Sequence, residues 1–232
     1  MNLNIIYEDN DILVVDKPSG IVVFNENKFI NRSLIGYLIE KYPHLLAVGN
    51  YPRYGIVHRL DKETSGLILV AKSNKALYFF QKQFKTKSIV KKYVALVIGR
   101  LENEAGEIRT LIGRSPNDYR KQRVYLFGEP GYEGKREAIT KYKVIKYFSE
   151  YTLVEIMPET GRKHQIRCHF AYINHPIAGD KLYGFKNQPL PEGLNRHFLH
   201  ASYLKVKMLN EETKEFFSTL PQNLETIIKN LK

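Results

Sequence analysis

Sulfur chemistry is nearly absent from this chain: among 232 residues there is one cysteine, Cys168. A single thiol cannot close an intramolecular disulfide, which excludes a disulfide-stapled scaffold and fits a reducing, cytoplasmic setting. Long apolar runs are missing too. None approaches the ~18 residues that a membrane-spanning helix requires, so no membrane association is expected. The first residues, MNLNIIYEDNDILVVDKP, carry acids where a secretory leader would carry bases. No repeat, low-complexity tract or interdomain linker interrupts the chain. Acidic side chains are in deficit, with 24 Asp and Glu against 36 Lys and Arg and a formal charge of +12. Such an excess suits a polyanionic partner, RNA or DNA, although a basic solvated surface has the same composition.

What the chain does have is core-forming material. Hydrophobic residues make up 43% and aromatics 12%, enough for a substantial buried core and too much for a disordered segment. Alternation and turn residues predict strands at 4–7, 11–16, 67–72, 89–98, 138–147, 152–157, 196–207 and 214–218. Helical spacing predicts helices at 33–42 with Ser33 as N-cap, 75–85 capped by Asn74, around Ile166, Phe170 and Ile173, and at 224–231 with Asn223 as N-cap. Residues 102–134, rich in Gly, Pro, Asn and charge, read as a loop or hairpin insertion outside the core. Many strands, several adjacent in sequence, together with three or four helices indicate the α+β class.

One stretch concentrates chemistry. An apolar lead-in reaches His58-Arg59-Leu60-Asp61-Lys62-Glu63-Thr64-Ser65-Gly66, and the apolar run Leu67–Val70 leaves it. This is the pattern of a reactive loop held between buried strands. Asp61 is the candidate nucleophile or general base, and Arg59 is a charge that would favour its ionised form.

His-Arg-Leu-Asp-Lys-Glu-Thr-Ser-Gly resembles the catalytic signature of the RluA-type pseudouridine synthases, and the resemblance extends over about residues 5–205. Lys17-Pro18-Ser19-Gly20 resembles the family's Lys-Pro-x-Gly turn. Lys91-Lys92-Tyr93-Val94-Ala95 resembles its Lys-x-Tyr-x-Ala strand. Gly161-Arg162-Lys163-His164-Gln165-Ile166-Arg167-Cys168-His169 resembles its Gly-Arg-x-His-Gln-Ile-Arg-x-His segment, with Lys163 departing from the usual small hydroxyl residue. The resemblance implies a mixed, mostly antiparallel sheet flanked by helices with a central cleft, and isomerisation of uridine in RNA without cofactor or metal. It implies that Asp61 attacks the ribose, Tyr93 stacks on the target base, Ile166 floors the pocket and Arg167 pairs with the aspartate. By the same resemblance Arg59 holds the flipped nucleotide or fills the space it leaves.

Other residues keep two readings. Lys17 faces RNA or caps a strand end. Arg120, Lys121 and Arg123, with Arg162 and His164, are expected on the RNA side; a charged surface and satisfied structural histidines are the bland alternatives. Asp180 is expected to hold a loop amide or an arginine. A zinc site from His164, Cys168 and His169 is rejected, since His169 is rotated off the shared helix face and a second ligand pair is lacking. The expected organisation is one catalytic domain over 1–232 without a separate N-terminal RNA-binding module, acting on transfer RNA, large-subunit ribosomal RNA, or both. The rivals are a non-catalytic RNA-binding protein on the same fold and an RNA-directed glycosidase, which would need a second acid.

Overall fold

The computed structural model describes residues 3–25 and 33–232. The chain divides into two compact units, Met1–Val90 with Ala201–Thr219, and Lys91–His200 with Leu220–Lys232. Both are built from mostly antiparallel strands with helices, so the class is α+β as the strand and helix pattern implied.

In the first unit β1 (Asn4–Glu8) pairs antiparallel with β2 (Ile12–Lys17), and β2 with β3 (Ser65–Ala71). Ile12 to Val15 and Leu67 to Val70 are buried at successive positions. Both faces of β2 and β3 are therefore covered, which is why these strands read as continuous apolar runs instead of alternating. The helix α1 (Leu34–Lys41) starts where Ser33 Oγ accepts the Gly36 amide at 3.2 Å, as expected. A 3-10 turn, Pro43–Ala47, follows it.

The next helix, α2 (Asn74–Lys85), packs on β3. Its cap is Ser73, whose Oγ accepts the Ala76 amide at 3.2 Å. The expected cap, Asn74, is already inside the helix. Its side chain turns outward to accept the Gly49 amide at 2.7 Å and to donate to the Ala47 carbonyl at 3.0 Å. Asn74 thus ties a loop to the helix start and leaves capping to its neighbour.

Two further strands of the first unit, β9 (Leu199–Lys207) and β10 (Thr213–Phe217), pair antiparallel, and β9 lies beside β3. At Gly66 the β3 backbone lies directly against Ala201 of β9. Its φ is +113°, and a Cβ there would lie 2.2 Å from the Ala201 carbonyl oxygen. Gly66→Ala is therefore expected to lower stability by about 2–4 kcal/mol, from backbone strain plus overpacking. Urea titration checks this; an unchanged midpoint would contradict it.

The second unit holds β4 (Val90–Ile98), β5 (Ala105–Arg114), β6 (Gln122–Tyr125), β7 (Arg136–Tyr147) and β8 (Tyr151–Pro158), in the spatial order β4-β8-β7-β5-β6 with every pairing antiparallel. Within 102–134 the hairpin alternative holds, since β5 and β6 pair, but its placement outside the core is corrected. β5 is an internal strand, paired along its length with β7 and at its end with β6, and Ile108, Leu111 and Ile112 are buried. Its charges alternate onto the opposite face, so charge density hid a half-buried strand. Residues 102–104, the β5–β6 connection and residues 126–135 are the parts outside the strands.

The helix α3 (Gln165–Tyr172) buries Ile166 and Phe170 in the core of this unit, and α4 (Gln222–Asn230) adds Leu224 and Ile227. Each such side chain contributes roughly 1.5–3 kcal/mol by leaving water. α4 begins at Pro221, whose carbonyl accepts the Leu224 and Glu225 amides at 2.8 and 3.1 Å. Asn223 therefore lies within the first turn and is not the cap.

Candidate active site

Asp61 sits on a loop that the rest of its unit holds at several points. The incoming chain lies against the end of β3: the Ala71 amide donates to the Gly55 carbonyl at 2.8 Å, and Ile56 bridges to Val70. A Cβ at Gly55 would lie 2.1 Å from the Ala71 oxygen, so only glycine permits the approach. His58 Nε2 then accepts the Leu69 amide at 2.9 Å, and its ring stacks on Phe84 of α2 with centroids 4.6 Å apart. Accepting an N–H at Nε2 places the proton of the neutral ring on Nδ1. Leu60, Thr64 and Ser65 are buried, and the Thr64 amide donates to the Asp61 carbonyl at 3.1 Å, which closes the turn. The Asp61 side chain is half-buried at its apex.

The loop is also held through Lys62. Its carbonyl accepts the Gly20 amide at 2.9 Å and Lys17 Nζ at 3.1 Å. Lys17 is fully buried and donates also to the Pro18 and Ile21 carbonyls at 2.9 and 3.0 Å. Of the two readings of Lys17, the strand-end cap holds and the RNA contact is corrected. An ammonium with no exposed surface and its donors on carbonyls cannot pair with a phosphate. Lys17 instead joins its own turn to the reactive loop and sets a buried cation one residue from Asp61. A cation so placed lowers the electrostatic cost of a negative charge on the loop. Lys17 ends β2 and pairs with Gly66, the last residue of the Asp61 motif, a juxtaposition that nothing in the local sequence announces.

Arg59 is exposed, and its guanidinium carbon lies over the Phe24 ring, 4.9 Å from the centroid. It is poised at the surface of the loop and not folded into the core.

In the second unit Tyr93 lies on β4 opposite Ile156 of β8, half-buried against the core cluster that includes Ile166. Lys91 shares its strand face, two residues earlier. Burial alone holds the Lys91 ammonium down at about 8.

The segment before α3 is bolted to β7. Thr160 Oγ1 accepts the Ile139 amide at 2.9 Å and donates to Gln165 Oε1 at 2.7 Å. Gln165 Nε2 donates to the Ile139 carbonyl and to Thr140 Oγ1 at 3.0 and 2.9 Å, and its Oε1 accepts the Arg162 amide at 2.9 Å. Arg162, half-buried, donates from Nε to the Glu137 carbonyl at 2.8 Å; burial and the neighbouring Arg136 charge shift its guanidinium down. Gln165 is the hub that sequence reasoning missed: an uncharged side chain inside a charged motif drew no assignment.

Arg167 is buried, and its fork grips Asp180 through Nε–Oδ2 at 2.6 Å and Nη2–Oδ1 at 2.9 Å. Asp180 Oδ1 also accepts the Leu182 and Tyr183 amides at 2.9 and 3.1 Å. Burial would raise this carboxyl, but the Arg167 hydrogen bond and charge, with the Leu182 amide, hold it below its ordinary value. The structural role expected of Asp180 is what the geometry gives: within its unit it is the carboxylate that fixes Arg167. The Arg167 guanidinium also lies 5.1 Å from the centroid of Tyr183.

Tyr183 OH accepts the Gln122 amide at 2.7 Å and meets His164 Nδ1 at 3.0 Å. His164 is half-buried at φ 54°, just ahead of α3. His169 lies between Thr110 and Thr140 hydroxyls at 3.0 and 2.9 Å, and burial holds it down at about 4. Burial pushes the Cys168 thiol up to about 12.

The basic segment lies at the tip of the β5–β6 hairpin. Arg120 forks onto Asp118 at 3.0 and 2.8 Å. Arg123 reaches Glu129 at 2.9 Å and lies over Tyr125, and Lys121 is half-exposed between them. Local acids engage both arginines, so the segment's net charge is smaller than its run of cations suggests. Exposed pairs of this kind are weak and yield readily to a competing anion.

The model for RNA pseudouridylate synthase matches residues 11–172. A protein of Aquifex aeolicus named as an uncharacterized RNA pseudouridine synthase is 43% identical over 83% of this chain and 59% of its own length. A Bacillus subtilis protein named as the uncharacterized RNA pseudouridine synthase YlyB is 37% identical over the whole chain and 74% of its own length. A Yersinia pestis protein named ribosomal large subunit pseudouridine synthase D is 34% identical over 99% of the chain and 71% of its own length. Among solved structures, human RNA pseudouridylate synthase domain containing 1 superposes with a TM-score of 0.77 at 28% identity, over 95% of this chain and 84% of that one.

Proposed function

Because the chain belongs to the RNA pseudouridylate synthase family, we propose that it isomerises uridine to pseudouridine within a structured RNA, with Asp61 as the reacting carboxylate. The observation that carries this reading is the fixing of the Asp61 loop. One half-buried carboxylate is displayed on a turn anchored by Lys17, Gly20, His58 and Thr64. Preorganisation of this kind holds a reacting group in one attack geometry.

The target base must first leave its stack, because its sugar is otherwise out of reach. Asp61 then acts at the anomeric carbon as nucleophile or at the neighbouring ribose carbon as base. The N1–C1′ bond breaks and uracil departs with the bonding pair. The ring turns and C5 bonds to C1′, either as the Asp61–C1′ ester bond breaks or as the proton taken by Asp61 returns to the ribose carbon; the C5 proton then leaves and N1 takes up a proton. Tyr93 offers the face on which the uracil rests, Ile166 limits its sliding, and Arg59 holds the nucleotide or the space it vacates. A single carboxylate suffices because no water is added, whereas glycoside hydrolysis uses a pair. The relatives named for the ribosomal large subunit make large-subunit ribosomal RNA the first substrate to test, with transfer RNA the second. A cytoplasmic enzyme is consistent with such substrates. Arg120, Lys121, Arg123 and Arg162 supply further phosphate contacts, and His164 a donor.

Release of tritium from transcripts labelled at uridine C5 tests the reaction; no release from either RNA would refute it. Binding should also weaken by roughly 100- to 1000-fold between ~50 and ~200 mM monovalent salt, as several phosphate contacts require. Anisotropy titrations measure this, and a flat salt response would contradict a phosphate-led interface.

A further inference from the structure

The loop that leads into the Asp61 segment carries a second guanidinium that the proposed reaction does not use. The Arg53 guanidinium carbon lies over the Phe24 ring, 5.0 Å from its centroid, and that of Arg59 lies 4.9 Å from the same centroid. The ring is 6% exposed and so fixed in place, while both arginines are exposed. One buried ring thus holds two surface cations within about 10 Å of each other.

The backbone under Arg53 is equally determined. The Arg53 and Tyr54 amides both donate to the Asn50 carbonyl at 2.9 Å, and the Ile56 amide donates to the Arg53 carbonyl at 2.9 Å. At Gly49 a Cβ would lie 2.7 Å from both Leu77 Cδ2 and the Tyr54 carbonyl oxygen, so the loop is packed down on α2. Tyr51, 46% exposed, stands edge-on to Tyr54 with centroids 6.3 Å apart.

Two like charges within about 10 Å of each other in water repel by at least ~0.4 kcal/mol. Each cation–ring contact contributes roughly 0.5–1 kcal/mol, enough to hold them there. Among the described residues the Phe24 ring is the group that Arg53's guanidinium engages. Its planar donor fork remains presented outward, the geometry that binds a phosphodiester through two parallel hydrogen bonds. Phosphate contacts of this kind fix a strand's register without reading its sequence.

We propose that Arg53, set beside Arg59 by the Phe24 ring, is an anchor for a backbone phosphate of the RNA strand that reaches Asp61. Arg59 then handles the target nucleotide while Arg53 holds the strand next to it. This inference rests on the reading of the chain as an RNA-modifying enzyme, and its test separates the two.

Anisotropy titrations against a labelled large-subunit ribosomal RNA fragment and an unmodified transfer RNA transcript, over a salt series, read the contact directly. Arg53→Gln should weaken binding by about 3- to 10-fold and lower the slope of log affinity against log salt by about one. Arg53→Lys keeps the charge, so it should keep the slope while losing affinity with the fork. Lys229→Gln removes an exposed charge on α4 and should leave the slope unchanged. A wild-type slope in Arg53→Gln overturns the proposal. So does an equal loss of slope in Arg53→Lys, which would assign the effect to packing on Phe24. Tritium release by the wild type is measured in parallel. Release with an Arg53-independent slope sinks the phosphate anchor alone. An Arg53-dependent slope without release supports the anchor and sinks the reaction.

Discussion

Asp61→Asn is expected to lower pseudouridine formation by at least about 10³-fold while RNA affinity stays within a few-fold of wild type. Asparagine is nearly the same size and keeps a carbonyl acceptor, so the Asp61–Thr64 turn, which uses the backbone carbonyl of residue 61, is undisturbed. What is lost is the negative charge, and with it the nucleophilicity or basicity needed to attack carbon or remove a proton. Loss of a nucleophile or base that acts at the transition state lowers kcat and kcat/KM together. On the proposed reading affinity comes from phosphate contacts elsewhere and should be spared. Single-turnover rates with equilibrium binding on the same RNA separate the two. A variant that turns over normally would remove Asp61 from the chemistry.

Asp180→Ala is the second large effect, and it is one of stability. The substitution strands a buried guanidinium and removes the acceptor for two backbone amides, Leu182 and Tyr183. Breaking a buried pair on one side costs about 3–5 kcal/mol, a drop in Tm of roughly 6–20 °C for a chain of this size. Replacing both partners by apolar residues should recover part of that loss.

The pH dependence carries a sign. His169 is held below its ordinary value, at about 4, so the unfolded chain binds its proton first. The stability that His169 contributes is complete above ~6.5 and falls by up to ~1.4 kcal/mol per pH unit down to about 4. Asp180 is also held below its ordinary value. Its contribution is complete above ~3.9 and is lost as pH falls through its lower native value. In Asp180→Ala the upper window should persist and the lower one shrink. Urea midpoints across pH 2–8 would show it, and an unchanged midpoint at neutral pH would contradict the structural role of the pair.

Much of this was legible because local signals and fold agreed. β2 and β3 read as apolar runs flanked by turns, α1 carried a serine cap, and α3 kept its apolar side at Ile166 and Phe170. The misses share a cause, which is that long-range pairing is not written in local composition. β5 has alternating charge and a glycine-rich neighbourhood, and only its pairing with β7 makes it an internal strand. Asn74 has the right chemistry for a cap but is drawn away by the Gly49 amide, 25 residues earlier. Lys17 carries two readings in the sequence, facing RNA or capping a strand end, and the second holds: it ends β2 with its ammonium on carbonyls. Its three carbonyl partners include Lys62, 45 residues on, and only the folded chain brings them together. The nomination of Asp61 rested on a contiguous motif and needed no long-range information. The fixing of its loop did.

Nucleoside analysis of large-subunit ribosomal RNA and transfer RNA transcripts, after incubation with wild type and with Asp61→Asn, tests the central claim most directly. Wild type should convert uridine to pseudouridine at defined positions with no uracil liberated, and Asp61→Asn should yield neither. Pseudouridine formed equally by both proteins, or uracil released in place of pseudouridine, would contradict it.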